Sequence, residues 1–240
     1  LTPHMLRVTM AGPELADLPV GLPTGNVRLL LPPDGAGEVV LPRWNGNEFL
    51  LPDRSRPTIR SYTPRRYDPA VPELDVDVVL HEHGVVSAWA QAARPGDPVA
   101  VSGTGRGYPI DPEVRSYLLA GDESAIPAIS VLLEALSPEA EVQVVVEVSA
   151  PDARLDLPAH PGATVSWEDL PAGAARGDAL FAAVAGAAVG PGTRLWVAGE
   201  AAAVQRIRRL LFQERGLPRS QAFVRGYWKS GRAGDGDGEA

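Results

Sequence analysis

The stretch Tyr117–Ile129, YLLAGDESAIPAI, decides the fold. An apolar run ends at Gly121, an acidic turn follows, and a helix is expected from about Ser124 with Pro127 in its first turn, where a missing N–H costs nothing. A buried strand handing over to a helix at a glycine is the repeating unit of an open α/β sheet, and such sheets bind ligands at this junction. The same arrangement recurs at 195–204, LWVAGEAAAV, where Gly199 and Glu200 close a strand before a second helix. Two such crevices in one sheet point to a nucleotide site.

Outward from there, the chain beyond Val114 keeps a strand-then-helix rhythm: SYLLAG, SAIPAISVLLEAL, VQVVVEVS, TVSWED, DALFAAVAGAAV, RLWVAG, AAAVQRIRRLLFQERG and AFVRGYW. This alternation predicts a doubly wound, mostly parallel sheet with helices on both faces. Before about Pro112 the segments are short, β-like and punctuated by Pro and Gly: MLRVTMAG, NVRLLLP, GEVVLP, TIRSYTPRR, ELDVDVVLH and DPVAVSG. They predict a small antiparallel β-barrel. One helix interrupts them at VSAWAQAAR, with Ser87 expected as its N-cap and Gly96 shortly past its end. The expected domains are therefore 1–112 (β-barrel) and 113–230 (α/β), with the glycine-rich acidic tail 231–240 expected to be disordered.

Composition narrows the chemistry. The 240 residues contain no cysteine, which excludes disulfides, thiol catalysis and cysteine-held iron–sulfur clusters, so any electron transfer needs a borrowed cofactor. A net charge of −8 disfavours nucleic acid and acidic membranes, so an anionic ligand needs a local basic pocket. No apolar run approaches the roughly 18 residues of a membrane span, and the first residues have no cationic lead, so a cytoplasmic protein without membrane insertion is expected.

Against that acidity, the nine residues 60–68, RSYTPRRYD, gather three arginines and two tyrosines. Tyr and Thr suit an ordinary pleated strand, but the cluster also suits an edge that docks an anionic aromatic cofactor. Strict alternation in 73–81, ELDVDVVLH, puts Leu74, Val76, Val78 and Leu80 on one face and Asp75, Asp77, Val79 and His81 on the other. The following HGVVSAWA leads straight into a helix start, whose free N–H groups can receive phosphate. His81 and His83 share a face, yet no third ligand is spaced to join them, so no metal site is expected. GTGRG at 103–107 lacks the strand–turn–helix context of a dinucleotide fingerprint and reads as a loop.

Taken in order, TPHMLRVTMAGPEL, RSYTPRRYDP, ELDVDVVLH, SAWAQAARPGD, YLLAGDESAIPAI, LWVAGEAAAVQRIRRLL and GYWKSG resemble the siderophore-interacting protein family of FAD-dependent ferric-siderophore reductases, over nearly the whole chain. The resemblance implies a ferredoxin-reductase-like pair: a flavin-binding barrel followed by a nicotinamide-binding domain. It places Arg60, Ser61, Tyr62 and Thr63 in the family's RxYT strand, which holds the flavin. Asp77, Val79 and His81 match the strand beside the cofactor, and Val86, Ser87 and Trp89 match the pyrophosphate-binding helix start. Gly121, Asp122, Glu123 and Ser124 match the turn facing the cofactors, and Gly199 and Glu200 the nicotinamide-side turn. Lys229, the only lysine among 22 basic side chains, matches the cation that part of the family sets near the iron chelate. Arg65, Arg66 and Arg43 join it here as a basic mouth for an anionic chelate.

The chain departs from the family in having GVVS where a longer Gly-Pro-Ala-Ser turn is common, and GTG in place of Gly-Pro. The implied reaction passes electrons from NADH or NADPH through FAD to a ferric siderophore, in a monomer, with no side chain catalytic in the strict sense. A ferredoxin as donor, a general NAD(P)H:flavin oxidoreductase on the same scaffold, and a non-redox siderophore-binding module are the alternatives.

Overall fold

The computed structural model describes residues 1–19, 21–33, 37–81, 84–103 and 105–231. From 232 onward the tail expectation therefore lies outside the described residues, as does His83. The chain divides into two units, one of Leu6–Gly107 and one of Leu1–Met5 together with the chain from Tyr108 onward.

In the first unit the strands are β1 (Met5–Ala11), β2 (Val27–Leu30), β3 (Arg43–Trp44), β4 (Phe49–Leu50), β5 (Ile59–Tyr62), β6 (Pro64–Asp68), β7 (Glu73–Val79) and β8 (Ala100–Ser102), with helix α1 at Val85–Ala92. They form three small sheets, ordered β1-β7-β6, β5-β2-β8 and β3-β4. Alternation works as expected in β7, where Leu74, Val76 and Val78 are buried. They share one core with Val27, Leu29 and Leu31 around β2 and with Val86 and Ala90 of α1. Burying each such side chain contributes roughly 1.5–3 kcal/mol, enough to fix which face of each strand turns inward.

Three local expectations are corrected. GEVVLP at 37–42 forms no strand; the hairpin β3–β4 follows it instead, turning at Asn45-Gly46, where Gly46 has φ +103°. TIRSYTPRR is two strands, not one, broken at Thr63, because Pro64 has no N–H to continue the ladder. The α1 N-cap is Gly84, not Ser87.

The second unit contains β9 (Ser116–Asp122), α2 (Ile126–Ala135), β10 (Glu141–Val148), β11 (Ala163–Asp169), α3 (Asp178–Gly186), β12 (Thr193–Glu200), α4 (Ala201–Arg209) and β13 (Ala222–Trp228). All strands pair in parallel, in the order β11-β10-β9-β12-β13. Leu118, Ala120, Leu195 and Val197 pack with Leu180 and Val184 of α3 and Val204 and Ile207 of α4. Residues of the other parity turn to the opposite face, and α2 lies against β9. Strand order reverses beside the first strand, so the ends of β9 and β12 form the switch point, and Asp122 and Glu200 are the last residues of those strands.

Candidate functional site

In the first unit the site is built on β5. Arg60 and Tyr62 are two residues apart and share a face, opposite Leu29 and Val27 of β2, while Ser61 takes the other face opposite Arg28. Tyr62 packs against the core, and burial pushes its phenol up to about 12 against the lowering influence of Arg60. The hydroxyl therefore stays protonated. Arg60 Nη1 donates to the Ile59 carbonyl at 2.7 Å and, among the described residues, meets no carboxylate. Thr63 is buried just beyond the strand.

The β6–β7 ladder pairs Pro64 with Val76 and Arg66 with Asp75, so Arg65 is the extra residue of a bulge. That bulge interrupts the alternation that would send Arg65 and Arg66 to opposite faces. Arg66 is exposed and Arg65 half-buried. Arg43 stands on the β3–β4 hairpin, which shares no ladder with β5 or β6, beside the exposed Trp44–Phe49 ring pair 5.1 Å apart.

Strand β7 touches both β5 and α1. Its Asp77 is not open to a ligand. Arg7 donates to both carboxylate oxygens, Nε to Oδ1 at 2.7 Å and Nη2 to Oδ2 at 2.9 Å, and the Asp77 side chain is 1% exposed. Val79 ends the strand, and His81 is exposed beyond it. The His81 N–H donates to the Ser87 hydroxyl at 2.8 Å, which ties the strand end to the third residue of α1. Among the described residues no side chain caps α1, so the first-turn amides of Val85, Val86 and Ser87 keep their capacity to hold an anion. Trp89 packs its ring on the core from the same helix.

In the second unit the strand ends carry a hydrogen-bonded knot. Asp122, 8% exposed, accepts from the Ser124 N–H at 2.9 Å and the Ser124 hydroxyl at 2.5 Å, the Glu200 N–H at 2.8 Å and the Trp228 indole at 2.8 Å. Burial raises its carboxyl above the usual 3.8, and these donors pull the other way. Glu200 Oε2 accepts from the Ala202 and Ala203 amides at 2.6 and 2.9 Å, and its Oε1 from the Ser230 amide at 3.2 Å. Glu123 accepts from both the amide and the hydroxyl of Ser149.

The two glycines permit this knot. A Cβ on Gly121 would lie 2.3 Å from the Ala125 Cβ and 2.7 Å from the Ala198 carbonyl oxygen, and one on Gly199 (φ +155°) would lie 2.7 Å from Asp122 Oδ2. Lys229 follows β13 and is exposed. The sequence reading missed that Arg7, Trp228 and Ser230 belong to these networks; alternation set Asp77 on the face away from Leu74, Val76 and Val78, so nothing in β7 itself signalled its burial against Arg7.

The residues of the first unit fit a flavin dinucleotide. A guanidinium and a protonated phenol share one strand face, and a neighbouring helix start has first-turn amides that no described side chain caps. The second unit is different, because Glu200 already occupies the Ala202 and Ala203 amides of α4 and Asp122 the Ser124 amide. Neither helix start has those amides to give to a phosphate. Asp122, Glu123, Ser124 and Glu200 thus use their side chains within the protein.

Comparison with known proteins matches two successive segments of the chain to two family models. A model of the siderophore-interacting FAD-binding domain matches residues 1–107, and one of the siderophore-interacting protein matches 114–231. An uncharacterised protein of Mycobacterium tuberculosis is 38% identical over 97% of this chain and 87% of its own length. The ferric vibriobactin reductase ViuB of Vibrio cholerae is 32% identical over 58% of this chain and 51% of its own. The mycobactin import ATP-binding/permease protein IrtA of Mycolicibacterium thermoresistibile is 32% identical over 97% of this chain but only 24% of its own. Among solved structures, a siderophore utilization protein from T. fusca superposes with a TM-score of 0.83 at 36% identity, covering 96% of this chain and 89% of that one. Phthalate dioxygenase reductase, at 14% identity and a TM-score of 0.58, shares the ferredoxin-reductase-like fold, covering 95% of this chain and 64% of that one. With both units matched in order and a relative 38% identical along almost the full chain, the protein belongs to the siderophore-interacting protein family.

Proposed function

We propose that the protein is an FAD-dependent ferric-siderophore reductase that takes electrons from NADH or NADPH. The observation that carries this reading is the β5 face, where Arg60 and the protonated Tyr62 stand together within the segment matched by the FAD-binding domain model. Arg60 would neutralise the cofactor phosphate by a charge-assisted hydrogen bond. The uncapped amides of Val85, Val86 and Ser87 would supply a second anion contact. Tyr62 would lie along the flavin and donate its O–H, with Ser61 and Thr63 on the adjoining backbone. Asp77 would act at one remove, through its pairing with Arg7. When bound, FAD accepts an electron pair and releases electrons singly, which is the conversion that a hydride donor and an Fe(III) substrate require.

Fe(III) is held tightly by a siderophore and Fe(II) weakly, so one-electron reduction frees the metal and spares the chelator. Lys229, Arg65 and Arg66 would attract the anionic chelate that the net charge of −8 otherwise repels. Arg43, exposed on the β3–β4 hairpin, would add to their attraction at longer range. The nicotinamide donor is proposed from the switch-point crevice of the parallel sheet. One observation favours a second donor: with the Ala202 and Ala203 amides of α4 already taken by Glu200, a ferredoxin supplying electrons directly would need no phosphate cradle there.

The test is anaerobic spectrophotometry of the FAD-loaded protein, mixed first with NADH or NADPH and then with a ferric siderophore. Bleaching of the oxidised flavin band by one nicotinamide, reversed by the ferric chelate, is the expected result. Bleaching by reduced ferredoxin alone would move the donor assignment, and failure to bind FAD would overturn the reading.

A further inference from the structure

Lys229 is flanked on both sides by residues tied to buried carboxylates. Before it, the Trp228 indole donates to Asp122 Oδ2 at 2.8 Å. After it, the Ser230 amide donates to Glu200 Oε1 at 3.2 Å. The two carboxylates are themselves joined, because the Glu200 N–H donates to the same Asp122 oxygen at 2.8 Å. Three adjacent strands, β9, β12 and β13, thus converge on the one lysine of the chain.

The backbone is shaped for this convergence. Gly199 pairs with Gly226, but Glu200 pairs with Trp228, so Tyr227 is an extra residue that advances Trp228 to the strand end. Gly199 leaves room for the Asp122 carboxylate, which its own Cβ would otherwise meet at 2.7 Å. Both carboxylates bind the neighbours of Lys229 and not its ammonium, which among the described residues pairs with no acid. The cation is left exposed for an outside anion while its backbone is held on both sides.

We propose that Asp122 and Glu200 are positioning residues: a two-point latch that holds Lys229 in place to receive the anionic oxygens of a ferric chelate. This rests on the reductase reading for the identity of the substrate. It differs from a direct cofactor role for the two carboxylates, because the latch leaves FAD binding to the other unit.

The experiment uses the full FAD-loaded chain in wild-type form and as K229A, D122N, E200Q, W228F and the double variant K229A/D122N. Amide exchange is followed by mass spectrometry on the 226–231 segment, and the KM for ferric enterobactin, an anionic tris-catecholate, is measured in parallel. W228F removes the indole donor without altering either carboxylate, so it reads the latch even where D122N fails to fold. The latch predicts exchange about tenfold faster in D122N, E200Q and W228F, a KM raised about tenfold in these and in K229A, unchanged FAD affinity, and no further loss in the double variant. Unchanged exchange in W228F and E200Q, or additive KM effects in the double variant, would overturn it. If wild type reduces the chelate and K229A alone is impaired, the reductase reading stands and the latch falls. If wild type neither binds nor reduces any ferric chelate, the reductase reading fails and the positioning role goes with it.

Discussion

Arg60 and Arg7 show how differently two arginines of one unit are used. Arg60 meets no carboxylate among the described residues and is proposed to serve an external phosphate, so Arg60→Ala is expected to leave the fold intact. Loss of a charge-assisted hydrogen bond, about 1.5–3 kcal/mol, corresponds to FAD binding weakened roughly ten- to a hundredfold, readable by flavin fluorescence titration. Arg7 answers the Asp77 carboxylate, whose side chain is only 1% exposed. Its removal strands a buried charge, so Arg7→Ala should destabilise the protein by about 3–5 kcal/mol in a denaturant titration. Tyr62 adds a pH signature. Its phenol is raised from 10.0 to about 12, so its contribution to stability is complete below pH 10 and is lost as pH rises through 12. Tyr62→Phe should retain more of its stability across that window than wild type does.

At the scale of elements, the junctions at the ends of β9 and β12 depend on the missing side chains of Gly121 and Gly199. Gly121→Ala would press a methyl against the Ala198 carbonyl, a backbone atom that cannot swing aside, and overpacking of this kind costs typically about 1–3 kcal/mol. A lowered thermal midpoint with unchanged FAD affinity is the expected outcome. These junctions were legible in the sequence because a buried strand, a glycine and a capped helix leave three concordant marks within a dozen residues. The β3–β4 hairpin was not, since its strands are two residues long and carry no period, although Asn45-Gly46 is a hairpin turn signal that could have located it. Ser87 was misread as an N-cap because a hydroxyl at the third helical position can bond back to the preceding chain just as a cap bonds forward. The carboxylates of Asp122, Glu123 and Glu200 were placed correctly at the strand ends, but their partners Ser149, Trp228 and Ser230 lie far along the chain, and spacing cannot reveal contacts made by the fold itself. Asp122 also carries a pH test. Its raised carboxyl contributes stability in full below 3.8 and loses it as pH rises through the folded value, so the stability of wild type relative to D122N should fall as pH rises above 3.8.

For the whole molecule the controlling quantity is charge. A protein of net charge −8 that accepts an anionic iron chelate sets two opposing fields on the same substrate, and salt separates them by range. At about 0.01 M ionic strength the Debye length is roughly 30 Å, so the approaching chelate feels the acidic surface as a whole. At about 0.1 M it is near 10 Å, the distant carboxylates are screened, and the cations proposed to receive the chelate, Lys229, Arg65 and Arg66, act almost alone. At about 1 M, with screening within roughly 3 Å, they too are muted. The kcat/KM for an anionic tris-catecholate is therefore expected to rise and then fall across this range, while a neutral ferric trihydroxamate gives a nearly flat profile. Lys229→Ala should make the falling limb shallower and leave the rising one, because Arg65, Arg66 and the acidic surface are untouched. A monotonic decline from the lowest salt in wild type would mean that the acidic surface never reaches the substrate, and that the arginines and the single lysine govern its approach at every range.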